Sequence, residues 1–310
     1  MDKFYESSVG ESVWMSRSRP SACLHVTGED ALSFLQGQFT QELRSSAAAS
    51  AAYGLWLNQK GKVLADSFAL REATDSVWII SFSSSATVIR ERLEAYVIAD
   101  DVAIADVTAD WQGVVVGGPE SGVWLARAAG GVPAAGEFIR ATDGGMIFRG
   151  RRGEGVSYEW IAPAFAKDIE GEIASVSTEE LERMRIAAGI PRVPADIGVG
   201  DLPNEGGLDA VAVSYTKGCY LGQEVMARLK AMGTVRRRLV RVRAAGRTPP
   251  AVPCALLQGE KRVGELRSAV SDGAGGFIGL AMLTKLGLDP AQPLAPEPGG
   301  AGFIELVEQP

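Results

Sequence analysis

Apolar residues recur at helical spacing in three stretches of the chain. In TGEDALSFLQGQFTQEL, either Thr27 or Asp30 is a suitable cap, and Gly37 is expected to end the helix. The apolar residues of its inward face are Ala31, Leu32, Phe34 and Leu35. A second helix is predicted over 85–97, with Val88, Leu93 and Val97 facing inward.

The third helix has the clearest signals at both ends. Ser177 and Glu180, in STEE, form a capping-box pattern, and Gly189 followed by Pro191 predicts the end of the helix. Its apolar face contains Leu181, Met184 and Ala188. The run 223–232 is also compatible with a helix.

Period-two patterns predict strands between these helices. YGLWLNQKGKVLADSFALRE reads as a hairpin, with Leu55 and Leu57 on one arm, a turn at 59–62 and a returning arm over 63–70. VWIISF is a further strand, and WQGVVVGG is expected to close the unit as a ferredoxin-like, split βαβ lobe. Strand-like runs at VWLARA, EFIRAT, GMIFRG and YEWIAP predict a second lobe.

After Gly233 the pattern changes to short strands separated by glycines. VRRRLVRVRAAG, ALLQGEKRVGELRSAV, GGFIGLAML and GAGFIELVE predict a small β-barrel. The fold class is therefore α+β, with a domain of two lobes over 1–235 and a C-terminal barrel over 236–310.

Composition narrows the class of protein. The 310 residues are 46% hydrophobic and 22% charged, which is typical of a globular chain. The net charge of -7 argues against nucleic-acid binding. No apolar stretch has the length of a membrane span, and MDKFYESSVGESVW lacks the features of a signal peptide. We expect a cytoplasmic protein without membrane partners.

Histidine and cysteine counts exclude common metal sites within one chain. His25 is the single histidine, and it lies on the strand-like run ACLHVTG. The three cysteines, Cys23, Cys219 and Cys254, include no CxxC pair and are too few for a four-thiolate cluster. We expect no permanent metal.

The segment KGCYLGQE, residues 217–224, places a cysteine in polar, glycine-rich surroundings. Lys217 supplies a nearby positive charge, which favours a thiolate, and Gly218 and Gly222 permit close approach of a ligand. Cys219 is therefore a candidate reactive thiol, although a structural thiol is the commoner case.

Each neighbour of Cys219 has two interpretations. Gln223 and Glu224 can hydrogen-bond a flat heterocycle, or Glu224 can form a weak surface ion pair. Arg228, Lys230 and 236–238 can bind an anionic tail, or they can be solvated surface charges. Trp56 and Tyr220 can stack on a pterin, but aromatic residues in such strands are more often part of the core.

Taken together, these motifs resemble the YgfZ family of folate-binding, T-protein-like proteins. The family signature is matched by KGCYLGQE, and its N-terminal block is similar to GEDALSFLQGQFTQEL. LNQKGKVLADSFAL, ERMRIAAGIPRVPADI, LPNEGGLDAVAVSYT and MARLKAMGTVRRRLVRV also resemble family segments. The likeness covers nearly the whole chain and is weakest over 110–175 and in the last barrel.

The resemblance implies two interleaved ferredoxin-like lobes and a small barrel around a central channel. It also implies binding of tetrahydrofolate and a role in iron-sulfur cluster assembly or repair, with transient client or assembly proteins as partners. The signature residues implied for the site are Lys217, Gly218, Cys219, Tyr220, Gly222, Gln223 and Glu224. Arg228 is added as a folate-binding candidate.

The aminomethyltransferase of glycine cleavage, the T-protein, is the competing relative. It resembles the chain less, because its hairpin carries paired acids where this chain has GKVLAD, with Asp66 alone. Asp66 keeps a folate-dependent one-carbon transferase open as the alternative function, since such a reaction requires an acid near the folate nitrogen.

Overall fold

The structure is a computed structural model that describes residues 12–44, 49–153, 155–165 and 173–307. Its strands, in chain order, are β1 Trp14–Ser18, β2 Ala22–Thr27, β3 Ser50–Leu57, β4 Val63–Ala73, β5 Ser76–Ser81, β6 Ala103–Asp106, β7 Gln112–Gly117, β8 Phe138–Arg140, β9 Met146–Arg149, β10 Ser157–Ala162, β11 Ala174–Ser175, β12 Arg237–Ala244, β13 Cys254–Gln258, β14 Lys261–Ser271, β15 Phe277–Thr284 and β16 Glu305–Leu306. The helices are α1 Ala31–Gln38, α2 Ala86–Glu94, α3 Ser121–Ala128, α4 Thr178–Ala187, α5 Asp209–Ala212 and α6 Gln223–Met232.

Three sheets organise the described residues. The first has the strand order β3-β4-β5-β2-β6, and the second has the order β11-β1-β7-β10-β9-β8. The chain enters the second sheet with β1, then builds the first sheet, and returns to the second with β7. The first sheet is therefore built from the continuous stretch β2 to β6, whereas the second combines β1 with the later strands β7 to β11.

Several local predictions are confirmed. The hairpin pairs β3 with β4, α6 spans the run predicted as helical, and Ser177 caps α4 by accepting a hydrogen bond from the Glu180 amide at 3.1 Å. At α2, Ser85 caps the helix as its side chain accepts from the Val88 amide. Short polar caps of this kind satisfy amides that have no partner within the helix.

Other local predictions are wrong. VWLARA belongs to α3, whose buried residues Ser121, Trp124 and Leu125 follow the i, i+3, i+4 spacing of a helix. WQGVVVGG does not close the first unit, since β7 lies between β1 and β10 in the second sheet. Val88 is 43% exposed, and α1 continues through Gly37 to Gln38.

The C-terminal part forms a curled five-stranded sheet with the order β13-β14-β15-β12-β16. Isolated bridges at Leu257–Ala295 and Leu294–Ile304 continue the hydrogen bonding beyond β13 towards β16. All five strands follow residue 236, which is the predicted domain boundary. That boundary stays a prediction.

Two apolar cores fix the region around the sites described below. The first and second sheets pack face to face through a core that includes Phe68, Ile80 and Phe148. A separate core joins the β3–β4 hairpin to α6 and to the 193–213 segment, and it contains Leu55, Tyr220 and Met226. Residues of the β3–β4 hairpin therefore belong to both cores.

A buried polar network attaches the third sheet to the rest of the molecule. Asp196 is 0% exposed and accepts hydrogen bonds from Arg185 Nη1 of α4 at 2.7 Å and from Ser268 Oγ of β14 at 2.5 Å. Its carboxylate also accepts from the Arg192 amide at 2.8 Å. Arg267 of β14 reaches Asp201 at 2.5 Å. A buried carboxylate with this many donors is stable only while all of them remain in place.

Replacing Asp196 by alanine should lower the free energy of unfolding by about 3–5 kcal/mol, because it removes one of the two carboxylates paired with the buried Arg185 guanidinium and leaves the Ser268 hydroxyl and the Arg192 amide without this acceptor. Urea denaturation measures the change. Glu305 pairs with Arg243 on the surface at 3.2 Å, with side chains 60% and 53% exposed. Glu305→Ala is the control, expected to cost less than about 1 kcal/mol. Equal costs for the two variants would contradict the role of the network.

Candidate functional site

A cavity of about 290 Å³ lies where the first two sheets meet α4. Strands β4 and β5 supply one wall, the ends of β1 and β9 supply another, and α4 with the 190–192 segment closes the third side. Its size falls near the lower end of small-molecule sites. The lining combines aromatic faces, Tyr53, Phe68 and Phe82, with charged groups.

Asp66 is the carboxylate of the cavity wall formed by the hairpin. It accepts hydrogen bonds from Tyr53 OH at 2.8 Å, Ser84 Oγ at 2.7 Å and Ser81 Oγ at 3.2 Å. Burial raises the pKa of Asp66, and this effect outweighs the hydroxyl hydrogen bonds and the charge of Arg151, which lower it. A carboxyl of this kind can accept a ligand N–H or exchange a proton closer to neutrality than an exposed one.

Six arginines line the same cavity: Arg17, Arg19, Arg151, Arg152, Arg185 and Arg192. Three of them are held by carboxylates. Arg152 pairs with the fully buried Glu159, and Glu182 pairs with Arg185 at 2.6 Å and with Arg192 at 2.5 Å. Although burial raises the pKa of Glu182, the hydrogen bond and charge of Arg185 and the charge of Arg192 hold it below the usual value.

Arg151 differs from these three because no ion pair holds it among the described residues. Its guanidinium lies over the Tyr53 ring at 4.1 Å, and its Nη1 is buried with no hydrogen-bond acceptor. Arg192 Nε is likewise buried without an acceptor. A planar ligand with acceptor atoms and an anionic end would satisfy these donors, so the residues present fit a folate-like molecule.

The signature segment lies at the other end of the hairpin. Gly222 precedes α6 with φ 86°, and a Cβ there would lie 2.9 Å from the Asn58 carbonyl oxygen and 3.2 Å from Gly61 Cα. Gly61, in the hairpin turn with φ 69°, would in turn place a Cβ 2.9 Å from Val225 Cβ. The two glycines allow the turn and the start of α6 to pack backbone against backbone.

Lys217 is a buried anchor of this segment. Its Nζ donates to the carbonyl oxygens of Gln36 at 2.8 Å, Phe39 at 2.7 Å and Gln41 at 2.9 Å, which ties the signature to the end of α1. Burial lowers the pKa of Lys217 to about 8. Its ammonium group is therefore directed to backbone oxygens at the C-terminal end of a helix, where positive charge is favourable.

Cys219 and Gly218 are exposed, whereas Tyr220 is 6% exposed and packs into the core beneath the hairpin. Burial, with a smaller effect from Tyr215, raises the pKa of Tyr220 to about 12. Trp56 is also fully buried. Both aromatic residues are therefore core residues, and the accessible groups of this loop are the thiol and the backbone of Gly218.

The polar residues of α6 lie on its surface. Glu224 and Arg228 form an i,i+4 pair at 3.6 Å with side chains 90% and 67% exposed, and Gln223 is half-buried. Arg237 binds Asp201 at 3.0 Å and Glu205 at 2.8 Å, so it belongs to the attachment of the third sheet. Arg236 and Arg238 are exposed.

The structure thus separates the predicted site residues into two places. Asp66 lines the cavity, while residues 217–224, all of which the structure describes, and Arg228 lie outside its lining. The prediction that those residues bind folate stays a prediction. Sequence reasoning missed the cavity arginines because they come from four distant segments, and the only local signals are the RSR and RR pairs beside strands.

The described residues contain neither a metal-binding group of side chains nor a membrane-spanning helix. Within 12–44, 49–153, 155–165 and 173–307, no group of three or more His, Cys, Asp or Glu side chains is arranged to hold a metal ion. Over the same ranges, no helix combines the length and apolar character that crossing a membrane requires.

Comparison with known proteins gives consistent relatives. Residues 9–144 match the family described as GCVT N-terminal domain. The mitochondrial iron-sulfur cluster assembly factor IBA57 of Mus musculus is 28% identical over 291 residues, covering 84% of this chain and 75% of the relative. The tRNA-modifying protein YgfZ of Vibrio vulnificus is 28% identical over 247 residues, covering 77% and 72% of the two chains.

Among solved structures, the glycine cleavage system aminomethyltransferase T from Bartonella henselae superposes with a TM-score of 0.73 at 17% identity. The match covers 88% of this chain and 79% of that one. At this identity the likeness concerns the fold, which is the mixed α+β arrangement described above. Residues 9–144 therefore match the GCVT N-terminal domain, the fold resembles that of the T-protein, and the chain is similar to the YgfZ and IBA57 proteins over most of its length.

Proposed function

We propose that this protein binds tetrahydrofolate and assists iron-sulfur cluster assembly or repair through Cys219. The observation that carries the proposal is the coexistence of a cavity, lined by Asp66 and six arginines, with an exposed thiol outside that cavity. The names of the IBA57 and YgfZ relatives support the cluster-related part. Folate binding rests on the family resemblance and on the fit of the cavity.

The cavity offers a complementary group for each part of a folate. Asp66 accepts ligand N–H groups, the faces of Tyr53 and Phe82 contact a planar ring, and arginines bind carboxylates. Arg151 and Arg192 contribute N–H donors that have no acceptor in the described structure. Bound tetrahydrofolate would supply its one-carbon-carrying nitrogens, while the protein orients the ring and keeps water away from Asp66.

Cys219 supplies the ligand chemistry for the cluster, which is a substrate here and not a resident cofactor. Its thiol gives up a proton, and the thiolate sulfur replaces one thiolate ligand of a cluster iron, which leaves as a thiol carrying a proton. A single thiolate cannot hold a cluster, so the remaining ligands come from a client protein or a small thiol. The exposure of Cys219 at the end of an otherwise anchored loop suits this exchange.

A second candidate function is a folate-dependent one-carbon transferase with Asp66 as the acid or base. The specific observation in its favour is that Asp66 faces the cavity with a raised pKa. In this alternative Cys219 is only structural. The predictions of a cytoplasmic location and of no nucleic-acid partner stay open beside relatives named as mitochondrial and as tRNA-modifying.

Cys219→Ser should bind tetrahydrofolate with an affinity within about twofold of wild type, because the thiol lies outside the cavity lining. The same variant should fail to restore iron-sulfur enzyme activity in cells that lack the protein. Calorimetry and complementation measure the two properties. Cys254→Ser, at a half-buried cysteine of the third sheet, is the matched control and should complement. Full complementation by Cys219→Ser would sink the proposed role of the thiol.

Asp66→Asn should weaken tetrahydrofolate binding by about tenfold or more, because a charged acceptor is lost. Its stability should equal or exceed that of wild type at pH 7. The folded-state pKa of Asp66 lies above the ordinary value of 3.8, so the wild-type carboxyl contributes stability at lower pH. That contribution is lost as the pH rises from 3.8 towards the raised pKa. Calorimetry and denaturation across pH test both statements, with the exposed Asp75→Asn as control. Unchanged affinity in Asp66→Asn would remove Asp66 from the folate site.

No aminomethyl or methylamine donor should be turned over with tetrahydrofolate, since Asp66 stands alone where the T-protein has paired acids. A donor assay that follows folate product measures this rate in wild type, Asp66→Asn and Cys219→Ser. Turnover that falls about a hundredfold in Asp66→Asn and survives in Cys219→Ser would establish the transferase alternative instead.

A further inference from the structure

Arg92 is a buried cation of α2 that the cavity and the proposed function leave unused. It is 9% exposed and reaches towards the β3–β4 hairpin, where its Nε donates to the Leu57 carbonyl oxygen at 3.2 Å. Its Nη1 donates to Gln38 Oε1 at 2.9 Å, and the guanidinium lies 4.4 Å from the centre of the Tyr96 ring.

Among the described residues, the charge of Arg92 has no carboxylate partner, and most of its N–H donors have no acceptor. A guanidinium carries five N–H donors, and two are used here. Nη2 is buried without any acceptor, and no carboxylate among the described residues pairs with Arg92. The other buried arginines contrast with it, since Arg152 has Glu159 and Arg185 has Asp196. A buried charge is normally paired, because desolvation without a partner is costly.

The surroundings of Arg92 connect it to the signature loop. Leu57, which accepts from Arg92, lies against Gly222, where a Cβ would be 3.3 Å from Leu57 Cβ. The residue before Gln38 is Gly37, whose carbonyl oxygen accepts from the Leu221 amide at 3.1 Å. Arg92 is therefore separated from residues 221–222 by Leu57. Residues 221–222 are close in sequence to the exposed Cys219.

We propose that Arg92 is the centre of a second binding site, which takes an oxyanion, a carboxylate or phosphate group carried by a small molecule. The site lies between α2, the end of α1 and the hairpin. The free N–H groups on Nη1 and Nη2 form the planar fork that binds two oxygens of such a group. Gln38, whose Oε1 faces Arg92, has its amide N–H groups available to the same oxyanion. Arg92 is absent from the lining of the Asp66 cavity, so this site is independent of folate binding.

The test is thermal unfolding of the full chain at constant ionic strength in chloride, inorganic phosphate or succinate. The variants are wild type, Arg92→Gln, Arg92→Lys and Arg90→Gln. Arg90 is the matched control because it lies on the same helix, carries the same charge and is 39% exposed beside Glu94. Phosphate and succinate distinguish the two sources of the oxyanion.

Wild type and Arg90→Gln should gain about 2 °C in at least one of the two anions over chloride, saturating with anion concentration. Arg92→Gln should lose this gain, and Arg92→Lys should retain part of it. Equal gains in all four proteins, or no gain in wild type, would overturn the proposal. Were Arg92→Gln unable to fold, Arg92→Lys decides: a saturable gain smaller than that of Arg90→Gln supports the site, and a gain equal to it refutes the site.

Discussion

The buried charge of Asp196 fixes the relative positions of α4, the 190–201 segment and the third sheet. Its carboxylate accepts hydrogen bonds from each of these parts, through Arg185, Ser268 and the Arg192 amide. Arg185 is also a wall of the cavity and a partner of Glu182. The geometry of the ligand cavity is therefore set in part by a strand of the C-terminal sheet that does not line it.

The β3–β4 hairpin contacts both candidate sites, the Asp66 cavity and the segment that carries Cys219. Its middle carries Tyr53 and Asp66 into the cavity, whereas its turn packs against the start of α6. The apolar positions between, including Leu55 and Val63, join the core that contains Tyr220. The β3–β4 hairpin thus lies between the cavity and the segment of the exposed thiol, and it packs against both. Asp66 thus lies in the middle of the hairpin, and the exposed Cys219 lies in the segment that packs against its turn.

Local signals in the sequence predicted the local structure well. The STEE cap, the hairpin turn and the extent of α6 follow from backbone chemistry within a few residues, and the structure confirms them. The position of β7 could not be predicted in this way, because it depends on pairing with β1, which is almost 100 residues earlier in the chain. VWLARA has the appearance of a strand because a short apolar run has no period that separates strand from helix.

The candidate site was predictable only in part for the same reason. Asp66 could be picked out because it is the one acid of the segment GKVLAD. Lys217 was expected to act on the neighbouring thiol, yet its side chain turns to three carbonyl oxygens of a segment that is distant in sequence. The cavity arginines meet only when three sheets and α4 have assembled, so no spacing along the chain reveals them.

The close packing of Gly61 against Gly222 has a consequence for how sequences of this kind diverge. A Cβ at Gly222 would meet the Asn58 carbonyl oxygen and Gly61 Cα, and a Cβ at Gly61 would meet Val225, so a side chain at either position forces the hairpin turn and the start of α6 apart. Relatives that keep this contact will show the two positions varying together across an alignment, although one belongs to a hairpin and the other to the signature. A change in the length of the hairpin turn should then be accompanied by a change in the first turn of α6, and this coupled variation would mark where the family divides into structural subgroups.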